Sequence, residues 1–428
     1  YSYAHIGNFR PAVVFDVLFR LLRHVYGEEH VLYATNLTDV DDKIIEANKK
    51  TGAPIAEITA KYTAAYKEDS AALNILEPTF RPTATAHIDE MISIMERLER
   101  RGYAYKTPSG LLFNVPTMDD YGKLSRRNRD DMVAGARVDV ASEKRDPADF
   151  SLWKAAKPDE PEDAIWDSPW GRGRPGWHIE CSAMIASTLG KTIDIHGGGI
   201  DLEFPHHENE IAQSECAHGE VLANYWLHNG FLDIESEKMS KSLGNVKIPH
   251  EMLKTHKGEV LRMALLSAHY RQPLDWTEAL LDQTKSTLDR AYGALRRVWD
   301  SVDMTPKDDG VLTALKDDLN TPQALAEFAR LINEANRAAD ANDLEVMAQA
   351  RAELMAAGGL LGILQSSPDD WEKGGDDEDT SRIDALVQAR IDARKDKNWA
   401  EADRIRDGLA AEGIEIMDNA DGSTWRRV

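Results

Sequence analysis

Thr192-Ile193-Asp194-Ile195-His196-Gly197-Gly198-Gly199 is the stretch on which the fold turns. Ile193 and Ile195 alternate with polar neighbours, the period-two mark of a strand, and three glycines follow directly. Upstream, residues from Trp177 through Met184 read as a helix; downstream, Pro205 suits the first turn of another. Helix, strand, glycine loop and helix in this order are the units of a parallel α/β sheet, and such a loop lets backbone approach a ligand closely.

The same pattern extends outward. From Pro11, the residues Val14, Val17, Leu18, Leu21 and Val25 recur at helical spacing, which puts His5-Ile6-Gly7-Asn8 in the turn feeding a helix N-terminus, where backbone donors and the helix dipole favour an anion. Val31-Leu32-Tyr33-Ala34 reads as a buried strand ending at Asn36-Leu37-Thr38-Asp39. Residues 100–175 mix Gly, Pro, Trp and charge with little periodicity and read as an insertion into the nucleotide-binding fold. Beyond residue 245 the chain turns helical. Leu281, Thr284, Leu288, Ala291, Leu295 and Val298 form one stripe, and Thr321-Pro322 supplies a cap and first-turn proline ahead of Leu325, Phe328 and Leu331. Residues 366–380 are polar, acidic and glycine-bearing, the composition of a mobile linker. Two short amphipathic helices, the alternating Ile414 and Ile416, a turn at Asn419 to Gly422 and Trp425 then make a small separate α+β module.

Composition bounds the function. The 428 residues, 42% of them hydrophobic, are enough for about three domains. No apolar run reaches the length of a membrane span, and the start does not read as a signal peptide. With only Cys181 and Cys216, a disulfide framework is not expected and a reducing cytoplasm is the natural setting. A formal net charge of −23 argues against indiscriminate nucleic-acid binding, yet residues 381–428 carry nine Lys or Arg against ten Asp or Glu, so a polynucleotide partner would be met there.

Two groups of residues carry chemistry. Cys181 on one helix, with His206 and Glu210 four apart on another, offers thiolate, imidazole and carboxylate, a set that suits Zn²⁺. The bland alternative is a buried cysteine beside a surface His–Glu pair, and the adjacent His207 leaves the imidazole open. Lys238-Met239-Ser240-Lys241-Ser242 gathers flexible cations of the kind that stabilise charge building on phosphate oxygens, although such a loop also serves as an ordinary solvated surface.

His5-Ile6-Gly7-Asn8 and Lys238-Met239-Ser240-Lys241-Ser242 resemble the two signatures of class I aminoacyl-tRNA synthetases. Gly-Trp-His-Ile-Glu-Cys at 176–181 and Phe-Pro-His-His-Glu-Asn-Glu at 204–210 resemble the zinc pocket of the cysteinyl-tRNA synthetase family. The resemblance covers nearly the whole chain and implies a cysteine–tRNA ligase: L-cysteine is activated with ATP to cysteinyl-adenylate and passed to the terminal adenosine of tRNA. It implies catalytic roles for His5, Asn8, Lys238 and Lys241, and ATP binding by His5, Gly7, Asn8, Gly199, Asp201, Lys238, Ser240 and Lys241, with Mg²⁺ on the phosphates. Asn8 stands where the wider class has His; it can donate to phosphate but carries no charge. The resemblance places Thr38, Trp177 and His196 around the substrate cysteine, though Trp177 fits a core position as well. Cys181, His206 and Glu210 become the ligands of one Zn²⁺, whose fourth ligand, a family Cys nine residues before the first-motif His, is expected outside this sequence. Arg394, Asp403, Asp418 and Trp425 fall where the family reads the anticodon, although a solvated helix and hairpin explain such residues equally.

The expected architecture is therefore α/β: a Rossmann-like parallel-sheet catalytic domain in two halves, 1–100 and 176–245, interrupted by an insertion at 101–175. A stem-contact region at 246–280, an α-helical bundle at 281–365, a linker at 366–380 and an α+β anticodon module at 381–428 follow. A cytoplasmic monomer is expected. Two alternatives stand beside this reading. One is the mycothiol-pathway ligase, which joins cysteine to an aminosugar and lacks the carboxyl-terminal module; the other is a non-catalytic metal- or RNA-binding relative.

Overall fold

In the computed structural model, which describes residues 1–127, 143–238, 245–374, 377–419 and 422–427, the chain forms two compact units. Tyr1–Leu281 with Ala314–Pro322 make the first; Asp282–Thr313 with Gln323–Val428 make the second.

The first unit opens with α1 (Ile6–Tyr26), five residues earlier than the periodicity from Pro11 suggests. Its first turn is stabilised locally, since the His5 amide donates to Asn8 Oδ1 at 3.1 Å and the Asn8 amide to His5 O at 2.8 Å. Pro11 is tolerated inside the helix. Ile6, Phe9, Val13, Val14 and Val17 form its buried face. The segment 31–37, expected as a buried strand, is not one: Leu32 is exposed, and the segment pairs only through isolated parallel bridges, Ala34 to Phe80 and Leu37 to Thr83. Pro78 and Pro82 on the facing segment lack the amide donors that a continuous ladder needs. Helices α2 (Asp42–Thr51), α3 (Ile55–Ala72) and α4 (Ile88–Arg100) follow.

The insertion is more regular than its sequence suggests. Strands β1 (Ala104–Thr107), β2 (Gly110–Phe113), β3 (Phe150–Ala155) and β4 (Gly173–Pro175) form an antiparallel sheet in that order, too short for periodicity to reveal. The expected α/β unit then appears: α5 (Trp177–Thr188), β5 (Ile193–Gly199), α6 (Glu208–His218) and β6 (Ala223–Asn229), with β5 and β6 parallel. The three glycines are strand, not loop. Gly197 lies against α1, where an added Cβ would sit 2.4 Å from the Phe15 ring, and one on Gly198 would sit 2.9 Å from His207. Only Gly199 ends the strand. Between β5 and α6 the chain kinks at Phe204 (φ −138°, ψ 131°), and Pro205 then opens the turn that runs into α6, where the sequence places it. A further sheet, β8 (Glu237–Lys238), β7 (Leu232–Ile234) and β9 (Leu274–Trp276), follows, with α7 (Pro249–Met252) and α8 (Gly258–Leu265) between β8 and β9.

A buried ionic clamp fixes α1. Asp16, 1% exposed, accepts from Arg20 Nε at 2.8 Å, from the Leu76 amide at 2.8 Å and from the fully buried Arg262 on α8. Arg262 also donates to the carbonyls of Leu73 and Asn74.

In the second unit, the expected stripe of α9 (Glu278–Val298) is buried from Thr284 to Val298. Helices α10 (Gly310–Lys316), α11 (Thr321–Ala341) and α12 (Leu344–Leu361) continue the chain, with Phe328 and Leu331 of α11 buried. Residues 366–374 differ from a mobile linker: α13 (Pro368–Lys373) is capped by Ser367, and Trp371 stacks on Tyr292 with ring centroids 4.3 Å apart. An aromatic side chain able to bury its ring outweighs the polar composition around it. The terminal module packs α14 (Asp377–Lys395) and α15 (Trp399–Ala411) on the hairpin β10 (Ile414–Asn419) and β11 (Gly422–Arg427) around Ile383, Val387, Ile405, Leu409, Ile414 and Trp425.

Candidate active site and metal centre

The carboxyl end of β5 opens into a cleft of about 1310 Å³. His5, Gly7, Asn8, Cys181, His196, Gly199 and Asp201 all line it, gathering segments that lie up to 196 positions apart in the chain. Ligands of parallel α/β sheets bind at this end of the strands. The α1 N-terminus is tied to the segment that follows the far signature, since the Ile6 amide donates to Lys247 O at 2.9 Å. Lys238 closes β8 against Asp233, and its side chain, like Ser240 and Lys241, lies outside the described residues. Asp201 is exposed in the turn after Gly199. Thr38 and Trp177 do not line the cleft.

Beside the cleft, Cys181 Sγ lies 3.6 Å from His206 Nε2, which in turn lies 2.8 Å from Glu210 Oε1. The other carboxylate oxygen of Glu210, Oε2, meets His196 Nε2 at 2.8 Å. Cys181 thus groups with His206 and not with its neighbour, because the His207 ring turns to His228, Nδ1 to Nε2 at 2.8 Å. His196, His207 and Glu210 form a second convergent trio. Trp177 is not a core residue: it is 45% exposed and stacks on the His206 ring at 4.2 Å.

The electrostatics fit a cation. Burial alone would raise the Glu210 carboxyl, but His196 and His206 outweigh it and hold the group well below its ordinary value. Burial, with Glu210 and Glu180 nearby, pushes the Cys181 thiol well up. A thiol kept protonated beside a buried carboxylate becomes a ligand only when a positive ion offsets the charge. Glu210 Oε1 is buried without a well-directed hydrogen bond despite its proximity to His206, as a metal-ligating oxygen would be. Sulfur, nitrogen and oxygen donors within 4.8 Å of one another are a zinc-type set.

Sequence reading misses two contributors here. Asn36 Nδ2 reaches Cys181 Sγ at 3.8 Å across 145 positions, and no local signal announces that contact. His178 Nδ1 meets His206 Nδ1 at 2.9 Å; its place three residues before Cys181, on the same helical face, is the one clue the chain offers.

The catalytic-domain family described as "tRNA synthetases class I (C) catalytic domain" matches residues 1–286. The DALR domain matches 310–365, and the "Cysteinyl-tRNA ligase anticodon binding domain" matches 376–426. A cysteine–tRNA ligase of Hyphomonas neptunium is 65% identical over 100% of this chain and 93% of its own length. The chain belongs to the cysteine–tRNA ligase family. A cysteine–tRNA ligase of Caulobacter sp. is 57% identical, again over all of this chain and 92% of the relative. Among solved structures, the ternary complex of Agrobacterium radiobacter agnB2 LeuRS with tRNA and LeuAMS superposes with TM-score 0.61 at 12% identity, over 86% of this chain and 84% of that one. Mycobacterium tuberculosis methionyl-tRNA synthetase with methionyl-adenylate gives 0.59 at 15% identity, over 84% and 87%. These two likenesses show the class I fold. As a member of the cysteine–tRNA ligase family, the chain is an aminoacyl-tRNA synthetase that activates L-cysteine with ATP and transfers it to tRNA, and the aminosugar-ligase and non-catalytic alternatives fall away. Among the described residues no helix is long and apolar enough to cross a membrane.

At the anticodon module one expectation is overturned. Trp425 is 1% exposed, packed in the module core with its Nε1 donating to Asp384 at 2.6 Å, so it offers no face to a base. Burying the large ring inside a module this small outweighs leaving it in solvent. The exposed tryptophan is Trp399, 59% accessible at the start of α15. Asp418 receives Arg390 at 2.8 and 2.9 Å and Arg394 at 2.7 Å, while Asp403 pairs with Arg406 at 2.9 Å.

Proposed function

We propose that within this ligase the roles divide as follows. His5, Gly7 and Asn8 at the α1 N-terminus hold ATP phosphates with Mg²⁺, joined by Lys238, Ser240 and Lys241, while Gly199 and Asp201 receive the ribose. The turn's backbone donors and dipole suit an anion, and the exposed Asp201 carboxylate suits sugar hydroxyls. Little proton transfer is required of the protein, because alignment and charge stabilisation dominate such an in-line displacement. Cys181, His206 and Glu210 hold Zn²⁺. Bound there, zinc supplies a soft centre that binds thiolate and leaves a neutral hydroxyl poorly bound. His196 and Thr38 flank the substrate cysteine, and Trp177 acts through the face of His206. Arg394, Asp403 and Asp418 read the anticodon, with Trp399 in place of Trp425 as the stacking surface. Cys181 and Cys216 are free thiols, which supports a reducing compartment, and the reading takes the chain as a cytoplasmic monomer.

The observation that carries this reading is the one cleft lined together by His5, Asn8, Cys181, His196, Gly199 and Asp201. A pair of variants tests it by splitting the two half-reactions. Asn8→Ala is expected to raise the KM for ATP in cysteine-dependent pyrophosphate exchange by about 10-fold, the loss of one charge-assisted hydrogen bond. Trp399→Ala is expected to leave exchange unchanged and to raise the KM for tRNA by about 10-fold, one base–aromatic stack. Equal effects of both variants on exchange would remove the division of labour.

A further inference from the structure

We propose that His178 is a positioning residue that sets the tautomer of His206 and so decides whether the His206 ring can hold a cation. This rests on the reading of Cys181, His206 and Glu210 as a metal centre. The His206 ring is engaged at both nitrogens. Nε2 faces Cys181 Sγ at 3.6 Å and Glu210 Oε1 at 2.8 Å; Nδ1 faces His178 Nδ1 at 2.9 Å.

A neutral imidazole carries one N–H and one lone pair, and the partner of one nitrogen fixes the role of the other. For Nε2 of His206 to offer its lone pair to a cation, the proton must sit on Nδ1. That N–H then donates to His178 Nδ1, which accepts only if His178 keeps its own proton on Nε2. Without a cation the opposite pair of tautomers is favoured. His178 Nδ1–H donates to His206 Nδ1, and the proton on His206 Nε2 lies on the side of Cys181 Sγ and Glu210 Oε1, 3.6 and 2.8 Å away. The two rings therefore switch together on metal binding. The proton between the rings passes from His178 Nδ1 to His206 Nδ1, the one on His206 Nε2 is given up to water as the cation takes its place, His178 Nε2 takes one from water, and the charge of the pair is unchanged.

The surroundings keep the rings in this relation. The His178 carbonyl accepts from Gln213 Nε2 at 3.0 Å, and Gln213 is fully buried on α6, so the first turn of α5 is tied to the helix carrying Glu210. Trp177 stacks on His206 with ring centroids 4.2 Å apart, and the Phe150 ring meets His178 edge-on at 5.9 Å. A flip of either ring would put a carbon in place of its Nδ1 at the 2.9 Å contact, so the two Nδ1 atoms meet only in this orientation.

The test is a Co²⁺ titration of the metal-free full chain against a competing chelator, reading the thiolate-to-cobalt absorption that Cys181 contributes. His178→Phe keeps a flat ring and removes the acceptor; its affinity is expected to fall about 10- to 100-fold, the usual loss for a partner that orients a metal-binding histidine. His178→Asn, whose Oδ1 stands near the place of Nδ1 and accepts an N–H, is expected to recover most of it. His178→Gln, whose amide reaches towards the position of Nε2, is expected to resemble Phe. Equal affinity of His178→Phe and wild type overturns the proposal. So does equal affinity of the Asn and Gln variants, a comparison that stands even if the Phe variant does not fold. Cys181→Ser separates the two levels: if wild type itself gives no absorption that this change removes, the metal-centre reading fails, and the tautomer assignment fails with it.

Discussion

Cys181→Ser is expected to abolish zinc binding at the proposed Cys181–His206–Glu210 centre and to cut the selectivity for cysteine over serine to about 10- to 100-fold, the limit of a pocket that sorts near-isosteres by shape alone. Among the described residues Cys181 supplies the sulfur donor of the candidate centre, 3.6 Å from His206 Nε2. A serine hydroxyl in its place is a weak ligand at neutral pH and stays neutral beside Glu210. The loss of metal affinity should exceed the roughly 10- to 100-fold that follows removal of an outer partner. Two measurements check it: metal content after dialysis against a chelator, and pyrophosphate exchange driven by cysteine and by serine in parallel. A variant that lost its metal yet activated cysteine with undiminished preference would remove the metal from substrate recognition.

Asp16→Ala carries the largest expected effect on stability. The carboxylate is buried and receives Arg262, Arg20 and the Leu76 amide, so its removal takes from the fully buried Arg262 guanidinium the carboxylate it is hydrogen-bonded to. Breaking one side of such a pair costs about 3–5 kcal/mol. Arg262 keeps its bonds to the carbonyls of Leu73 and Asn74, which compensate its hydrogen-bonding capacity but not its charge. Calorimetry is expected to show the catalytic unit melting roughly 10 °C lower. Because the same clamp sets α1, whose N-terminus carries His5 and Asn8, exchange activity should fall at temperatures below the melt as well. Asp16→Asn, which keeps one acceptor oxygen but turns an NH2 donor towards either the Leu76 amide or the two arginines, is expected to fall between wild type and Asp16→Ala. An unchanged melting transition would mean that the ion pair contributes nothing to holding α1.

Much of the molecule is legible in short windows of sequence. The α5–β5 unit, the buried stripe of α9 and the terminal hairpin follow from periodicity, because a helix or strand with one buried face must repeat its apolar residues at 3.6 or 2 positions. The spacing of His206 and Glu210 puts both on one face, and the residue type of Cys181 completes a soft-metal donor set with them. Local reading fails where a local signal competes with a distant one. The apolar run 31–34 has the composition of a strand, but its partner segment carries Pro78 and Pro82 and supports only isolated bridges. The three glycines have the composition of a loop, but all three lie in β5, and two of them are required by the close approach of Phe15 and His207.

What the chain's order of residues indicates alone is the inventory: an α/β fold, a helix start suited to an anion, and a donor set suited to a soft metal. What needs the folded arrangement is the division of labour among like residues. Only there does Glu210 turn one oxygen to His206 and the other to His196, does Cys181 take His206 and leave His207 to His228, and does Trp425 enter a core while Trp399 stays exposed. Periodicity reports which face of an element is buried. It carries no information on which of two adjacent side chains meets a partner many residues away, because that choice is made by the packing of whole elements against one another.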